Sequence, residues 1–408
     1  MTFHQPHTDT CNKCDNFKIS IKYAENDAER RKLETEQELH HRQAELAINS
    51  KKEDKILAQQ TSNGSTLAVS FDLQKSLPTP VLTTNKVYYM RTLWTYNFCV
   101  HNLATEKANM FIWDESTASR GSQEVASCLN EFLKHHTGVK HLIAYSDCCG
   151  GQNRNRNIAK FWMYVVQKSI LETVDHKYLE PGHTYMECDR DFAVIEKHKT
   201  RIPYVFVPDD WVTAISKASK NFTVKKMRTQ DFVSLNAMDL LVDMSQPKLK
   251  DKSGHPVKWS AIRWMRFEKE RPFIMLSKPS LNPDYQFNEV NFEKNMRGRR
   301  PSISLTPLYE GPLHIKETKW KNLQELLSLI PPVHHSYYND LLHSGISTSN
   351  ATKTNTRGTG RRSRALGRTR SMGRGQNTAH VQNVGQSSKE SNRFNSDSDC
   401  SMMHTDSE

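Results

Sequence analysis

An α/β fold is what this sequence predicts, and three observations predict it. Between residues 65 and 210, apolar runs of strand length alternate with stretches of helical periodicity. One such run, residues 142–145, ends on Ser146 and Asp147 and is broken by Gly150 and Gly151 before a helical stretch begins. The flanks differ in kind: a charged, helix-like run lies before, and a Ser-, Gly- and Arg-rich segment lies after.

The elements follow in order. Residues 1–22 form a zinc-knuckle-like segment around the CxxC of CNKCDNF. Residues 23–62 are rich in Glu, Lys, Arg, Gln and Ala, and their apolar positions Leu33, Leu39, Leu46 and Ile56 keep no strict heptad. That pattern reads as a solvated helix, with one face open to a coiled-coil contact and hence to a homodimer. The main domain is read over 65–210. Residues 67–73 are a strand, KVYYMRTLWTYNFCVHN gives one or two more through its aromatic and β-branched content, and ANMFIWDES another. GSQEVASCLNEFLKHHTG is a helix capped by Ser122, with Val125, Leu129, Phe132 and Leu133 on one face and Gly138 at its end. A strand at 142–145, a helix at 158–170, a strand at 177–179 and the helix ECDRDFAVIEKHK complete the domain. Residues 211–343 read as an α+β extension: DDWVTAISKAS is helical, FTVKKMRTQDFVSL and VKWSAIRWMRFE are strand-like, and KNLQELLSLIPP is a helix stopped by Pro331. Residues 344–408, almost without apolar side chains, read as a disordered tail.

Composition narrows the function. Mean hydropathy is −0.73 and no apolar run is long enough to span a bilayer, so no membrane partner is expected. Eight scattered cysteines suit a reducing compartment better than a disulfide framework. The net charge is +12, and residues 351–408 hold ten Lys and Arg against five Asp and Glu, so the body stays basic without its tail. An acidic polymer is the expected partner, because cations on the protein release counterions from phosphates.

Four carboxylates could share a metal. Asp72 lies within the apolar strand LAVSFDLQ, where an ionised acid costs several kcal/mol unless it is paired or bound to a cation. Asp147 closes the later strand. Asp189 and Glu196 are seven residues apart on the last helix, two turns and therefore one face, while Asp191 points elsewhere. Two strand-end acids and one from a helix supply the oxygen ligands of a two-metal phosphoryl-transfer site with Mg²⁺ or Mn²⁺. Beyond Asp147, Gly150 and Gly151 would let a substrate backbone approach, and Gln152, Asn153, Arg154, Asn155 and Arg156 would offer donors to phosphates.

This succession of elements resembles the RNase H-like fold of DDE transposases and retroviral integrases, a mixed sheet flanked by helices. FDLQKSLPTP, RGSQEVASCL, YSDCCGGQNRN and GHTYMECDRDFAVIEK are similar to motifs of uncharacterised transposon-derived proteins of invertebrate genomes. The resemblance implies metal-dependent DNA cleavage and strand transfer, with Asp72 as the first acid, Asp147 as the second, and Asp189 or Glu196 as the third. Asp189 is favoured because it lies in the first helical turn. A domesticated DNA- or chromatin-binding protein without turnover is the alternative, and an enzyme acting on RNA–DNA hybrids is a third reading.

Cys11 and Cys14 have zinc-ligand spacing, and with no second CxxC the remaining ligands must be histidines: His40 and His41 on the helix, or His4 and His7 upstream. Zinc is thus a second expected cofactor. The adjacent Cys148 and Cys149 read as small packing residues, and Trp211, Trp259 and Trp264 as core or docking aromatics. In the tail, Arg361, Arg362, Arg364, Arg368 and Arg370 belong to a run of seven arginines between Arg357 and Arg374, which suits non-specific nucleic-acid binding or nuclear import. Nuclear localisation follows as an expectation. No complete DNA-reading module precedes the CxxC, so target recognition is expected to lie in an N-terminal extension or to have been lost.

Overall fold

The computed structural model describes residues 10–61, 64–244 and 249–345. His4, His7 and all the tail arginines lie outside them. The chain opens with two helices, α1 (Asn12–Lys22) and α2 (Asp27–Gln60). The core runs β1 (Thr66–Leu73), β2 (Leu77–Thr79), β3 (Leu93–Asn102), β4 (Lys107–Asp114), α3 (Ser122–Leu133), β5 (His141–Ser146), α4 (Arg156–Lys168), β6 (Thr173–Tyr178) and α5 (Glu187–Lys199). Then come α6 (Pro208–Ala218), β7 (Phe222–Lys226), β8 (Val233–Ser234), β9 (Trp264–Glu268), β10 (Ile274–Lys278), β11 (Asn288–Asn291), β12 (Thr306–Pro307), α7 (Glu317–Leu326) and α8 (His335–Asn339).

The central sheet is mixed, in the order β11-β10-β9-β6-β5-β1-β3-β4-β7, with β2 beside β3. β1, β3 and β4 are antiparallel, whereas β1, β5 and β6 are parallel and need helical crossovers. The region after residue 210 is not set apart from this sheet. β7 pairs with β4 at one edge, and β9 pairs with β6 at the other and carries β10 and β11 outward.

Helices cover both faces, and the twofold alternation of each strand divides its side chains between them. Val69 and Phe71 of β1, with Leu142 and Ala144 of β5, pack against α3 (Leu129, Phe132) and α4 (Phe161, Trp162). The intervening Ala68, Ile143 and Tyr145 face the other layer, where α2 presents Ala47, α5 Phe192 and Ile195, and α6 Trp211. Complete burial of a side chain such as Phe71 or Phe161 stabilises by about 1.5–3 kcal/mol.

Several local expectations are corrected. The N-cap of α3 is Gly121, not Ser122, because Glu124 reaches back to the Gly121 N–H at 2.9 Å. That helix ends at Leu133, before Gly138. In KVYYMRTLWTYNFCVHN the first residues form a 3₁₀ turn (Asn85–Tyr89), and the strand begins at Leu93. CNKCDNF opens α1, and the long helix starts at Asp27. The inner face of α2 is lined by His40, Ala44, Ala47, Lys51 and Ala58, while Leu39 and Ile56 are exposed. This helix lies on the protein's own sheet.

Candidate functional site

At the carboxyl edge of the sheet, Ser70 of β1 is paired with Tyr145 of β5, the last residues of their parallel register. Asp72 and Asp147 each lie two positions further on, and alternation sends both toward the α2/α5 layer. The first turn of α5 is fastened over β1 by the Cys188 thiol, which donates to the Ser70 carbonyl at 3.5 Å. Asp189 follows directly.

The charges of Asp147 and Asp189 act on Asp72. Burial raises the Asp72 carboxyl well above the usual carboxylate range, the charges of Asp147 and then Asp189 raise it further, and the Leu73 N–H at 2.8 Å opposes them. Glu196 is engaged elsewhere, accepting from Gln74 Nε2 at 3.0 Å and pairing with Lys199 at 3.1 Å. Asp189 also caps its own helix, accepting from the Met186 N–H at 3.2 Å. Asp191 points away, to the buried His101 at 2.6 Å.

Asp147 rests on a built network. Its Oδ1 accepts from Asn153 Nδ2 at 2.5 Å and from the Cys149 N–H at 3.0 Å. Tyr178 donates to the Asn153 carbonyl at 2.9 Å. Below, Trp162 Nε1 donates to His176 Nδ1 at 3.1 Å, which assigns the imidazole proton to Nε2. Nε2 faces Ser146 Oγ at 2.9 Å, and that hydroxyl donates to the Asp147 carbonyl, also at 2.9 Å. Asn153 is therefore buried and supports Asp147 rather than pointing into solvent.

The other expected phosphate donors stand around an open cleft of about 500 Å³, lined by Gly150, Gly151, Arg154, Arg156 and Trp259 among others. Arg156 is exposed there, and Gln152 is half-buried nearby. Arg154 lies over the Tyr178 ring and reaches the Ile262 carbonyl. Asn155 caps α4 through the N–H groups of Asn157 and Ile158. Among the expected aromatics, Trp211 is buried and donates to Thr79 Oγ1 at 3.1 Å, and Trp264 donates to Asp175 at 2.6 Å. Trp259 remains at the cleft wall.

A second cluster joins distant segments. The ligand atoms of Cys11, Cys14, His40 and His183 all lie within 4.8 Å of one another, and this set could bind a metal such as zinc. Among the described residues no trio of acids comes that close. Cys11 Sγ is 3.2 Å from His40 Nε2, and Cys14 Sγ is 3.3 Å from His183 Nε2. His41 stands beside the group at 3.4 Å from Cys14 Sγ, but its neighbour His40 and the distant His183 are the imidazoles that join the set. Consecutive residues on a helix point about 100° apart, so His40 and His41 do not readily serve one ion together. Burial, followed by Cys11, pushes the Cys14 thiol up, and burial pushes the His40 imidazole down. His183 could not be assigned to this group from spacing, since 169 residues separate it from Cys14.

No helix among the described residues is long and apolar enough to cross a membrane. No curated protein and no solved structure matches the chain. Residues 97–268, from within β3 to the end of β9, match the family described as "Domain of unknown function (DUF7869)", a similarity that takes in Asp147, His183 and Asp189 but begins after Asp72.

Proposed function

We propose that this chain is a transposase-like protein with an RNase H-like domain that cleaves and transfers DNA strands in a metal-dependent reaction. The observation that carries the reading is that Asp72 and Asp147 stand at the same level of neighbouring strands, with Asp189 near enough for its charge to act on Asp72. The strand order β4-β3-β1-β5-β6, with α3, α4 and α5 after β4, β5 and β6, supports it as the succession the family resemblance implies. So does the net charge of +12.

The residues divide the work. Asp72 and Asp147 would hold cations from adjacent strands, and Asp189 from the helix above. The donor set is all oxygen and mutually repulsive, which fits Mg²⁺ or Mn²⁺. Those ions, when bound, would activate water or a 3′-hydroxyl for in-line attack on a phosphodiester. Asn153 and the Cys149 N–H hold Asp147 in one rotamer. Arg154 and Arg156 would take the DNA backbone through its phosphates.

A second reading, DNA binding without turnover, is favoured by the engagement of Asp189 as the cap of α5. Mn²⁺-dependent nicking of supercoiled plasmid, run beside Asp72→Asn, separates the two. Nicking lost in the variant supports catalysis. DNA binding without nicking by the unaltered chain supports the second reading.

A further inference from the structure

We propose that Cys11, Cys14, His40 and His183 form a closed four-ligand zinc site that staples the N-terminal helices to the loop leading into α5. The proposal stands whether or not the acids cleave DNA.

The donor set fits zinc in chemistry and in spacing. Two thiolates and two imidazoles are a structural-zinc combination, and Zn–S and Zn–N bonds of about 2.3 and 2.0 Å put neighbouring S and N ligands about 3.5 Å apart in a tetrahedron. The Cys11–His40 and Cys14–His183 distances of 3.2 and 3.3 Å are close to that edge. Four protein ligands leave no open coordination position, so the role is structural.

The surroundings are built for it. His40 is buried, and its Nδ1 has no hydrogen-bond partner but lies 3.5 Å from Glu180 Oε1. With Nε2 on a metal, Nδ1 carries the proton and faces that carboxylate, the outer partner that metal-bound histidines ordinarily have. Glu180 is fixed in turn by Arg263 at 3.0 Å. Gly182, at φ +80°, brings the His183 loop so close that a Cβ there would stand 2.7 Å from the Cys11 side chain. Only glycine satisfies both the left-handed backbone and this approach.

The four ligands come from the start of α1, the middle of α2 and the β6–α5 loop, so zinc would close a chain loop of about 170 residues. It would also set where α5 begins.

The test is metal content of the full chain purified without chelators. About one zinc per chain is expected, falling to near zero in Cys14→Ser and His183→Ala and retained in His41→Ala. Because loss of metal can follow unfolding, cobalt substitution gives a second measurement. His183→Cys should still bind cobalt, with its visible bands moved to longer wavelength as a third thiolate replaces an imidazole. Full zinc in His183→Ala, unchanged bands in His183→Cys, or an unaltered chain that neither contains zinc nor takes up cobalt would overturn the proposal.

Discussion

Asp72 and Asp147 leave neighbouring parallel strands at the same level, each two residues past the Ser70–Tyr145 pair. Adjacent strands lie about 4.8 Å apart, so two carboxyl groups share that level beneath the first turn of α5. In the proposed catalytic set, a third acid from that turn stands nearer the pair than one two turns further along. Asp189→Asn should therefore abolish Mn²⁺-dependent nicking, by a factor of roughly 10² or more, while keeping an oxygen for the Met186 N–H. Glu196→Gln should retain nicking within severalfold, because Glu196 is held by Gln74 and Lys199. The reverse ranking in a plasmid assay at equal folded fraction would move the third ligand to Glu196.

The network below Asp147 makes stability sensitive to acid. Burial lowers the His176 imidazole to about 3, from an ordinary value near 6.5. The unfolded chain thus takes up a proton between those values that the folded chain refuses, so this contribution to stability is intact above pH 6.5 and is lost as pH falls toward 3. Each unit below 6.5 costs about 1.4 kcal/mol from this group. Asp175 acts lower down: despite its burial, its bonds to His141 and Arg266 hold it at about 2, and its contribution is lost between about pH 4 and 2. In His176→Gln, urea unfolding between pH 6.5 and 4.5 should show a flatter pH dependence than in the unaltered chain. Equal slopes would mean that His176 does not remain neutral in the fold.

Helix α2 is fastened to the sheet by charge as well as by alanines. Asp54 accepts from Lys177 Nζ at 2.5 Å and from the Tyr145 hydroxyl, and Lys177 is almost fully buried under the Trp264 ring. Asp54→Ala should destabilise by about 3–5 kcal/mol, because it leaves an unpaired ammonium inside the protein. The double variant Asp54→Leu, Lys177→Met should cost much less, since both charges go together. Urea midpoints compare them, and equal losses would show that packing of α2, not the ion pair, sets the cost.

What could be read in advance follows the physics of each element. The span of α5, Glu187–Lys199, coincides with ECDRDFAVIEKHK, where helical spacing of Phe192 and Ile195 is unambiguous. Asp72 stands out because an acid inside an apolar strand needs a reason. The inner face of α2 is hidden, since His40, Ala44, Ala47 and Lys51 carry no apolar signature and only tertiary contact selects them over Leu39. The Cys11–Cys14 spacing is legible as a metal-ligand pattern and His40 as one of four candidate histidines, but His183 reaches them through loop geometry that no periodicity reports. Asn153 reads as a phosphate donor until the fold turns it inward to Asp147. Beyond residue 210 the strands are too short for pattern alone to show that β7 and β9 extend the central sheet at opposite edges.

The last prediction concerns the arginines from Arg357 to Arg374, which lie outside the described residues. With few apolar or aromatic neighbours, they would bind DNA almost wholly by neutralising phosphates. Deleting residues 351–408 removes a net +5 and should weaken DNA affinity at low salt, and each phosphate no longer neutralised should take about 0.9 from the logarithmic salt slope. Nicking should survive when DNA saturates the truncated chain, because the elements that position Asp72, Asp147 and Asp189 all precede residue 200. Affinity measured from low to physiological salt, with nicking followed in parallel, checks both halves. An unchanged affinity and slope would leave the arginines a role in nuclear import or solubility, while loss of nicking at saturation would extend the catalytic unit past residue 350.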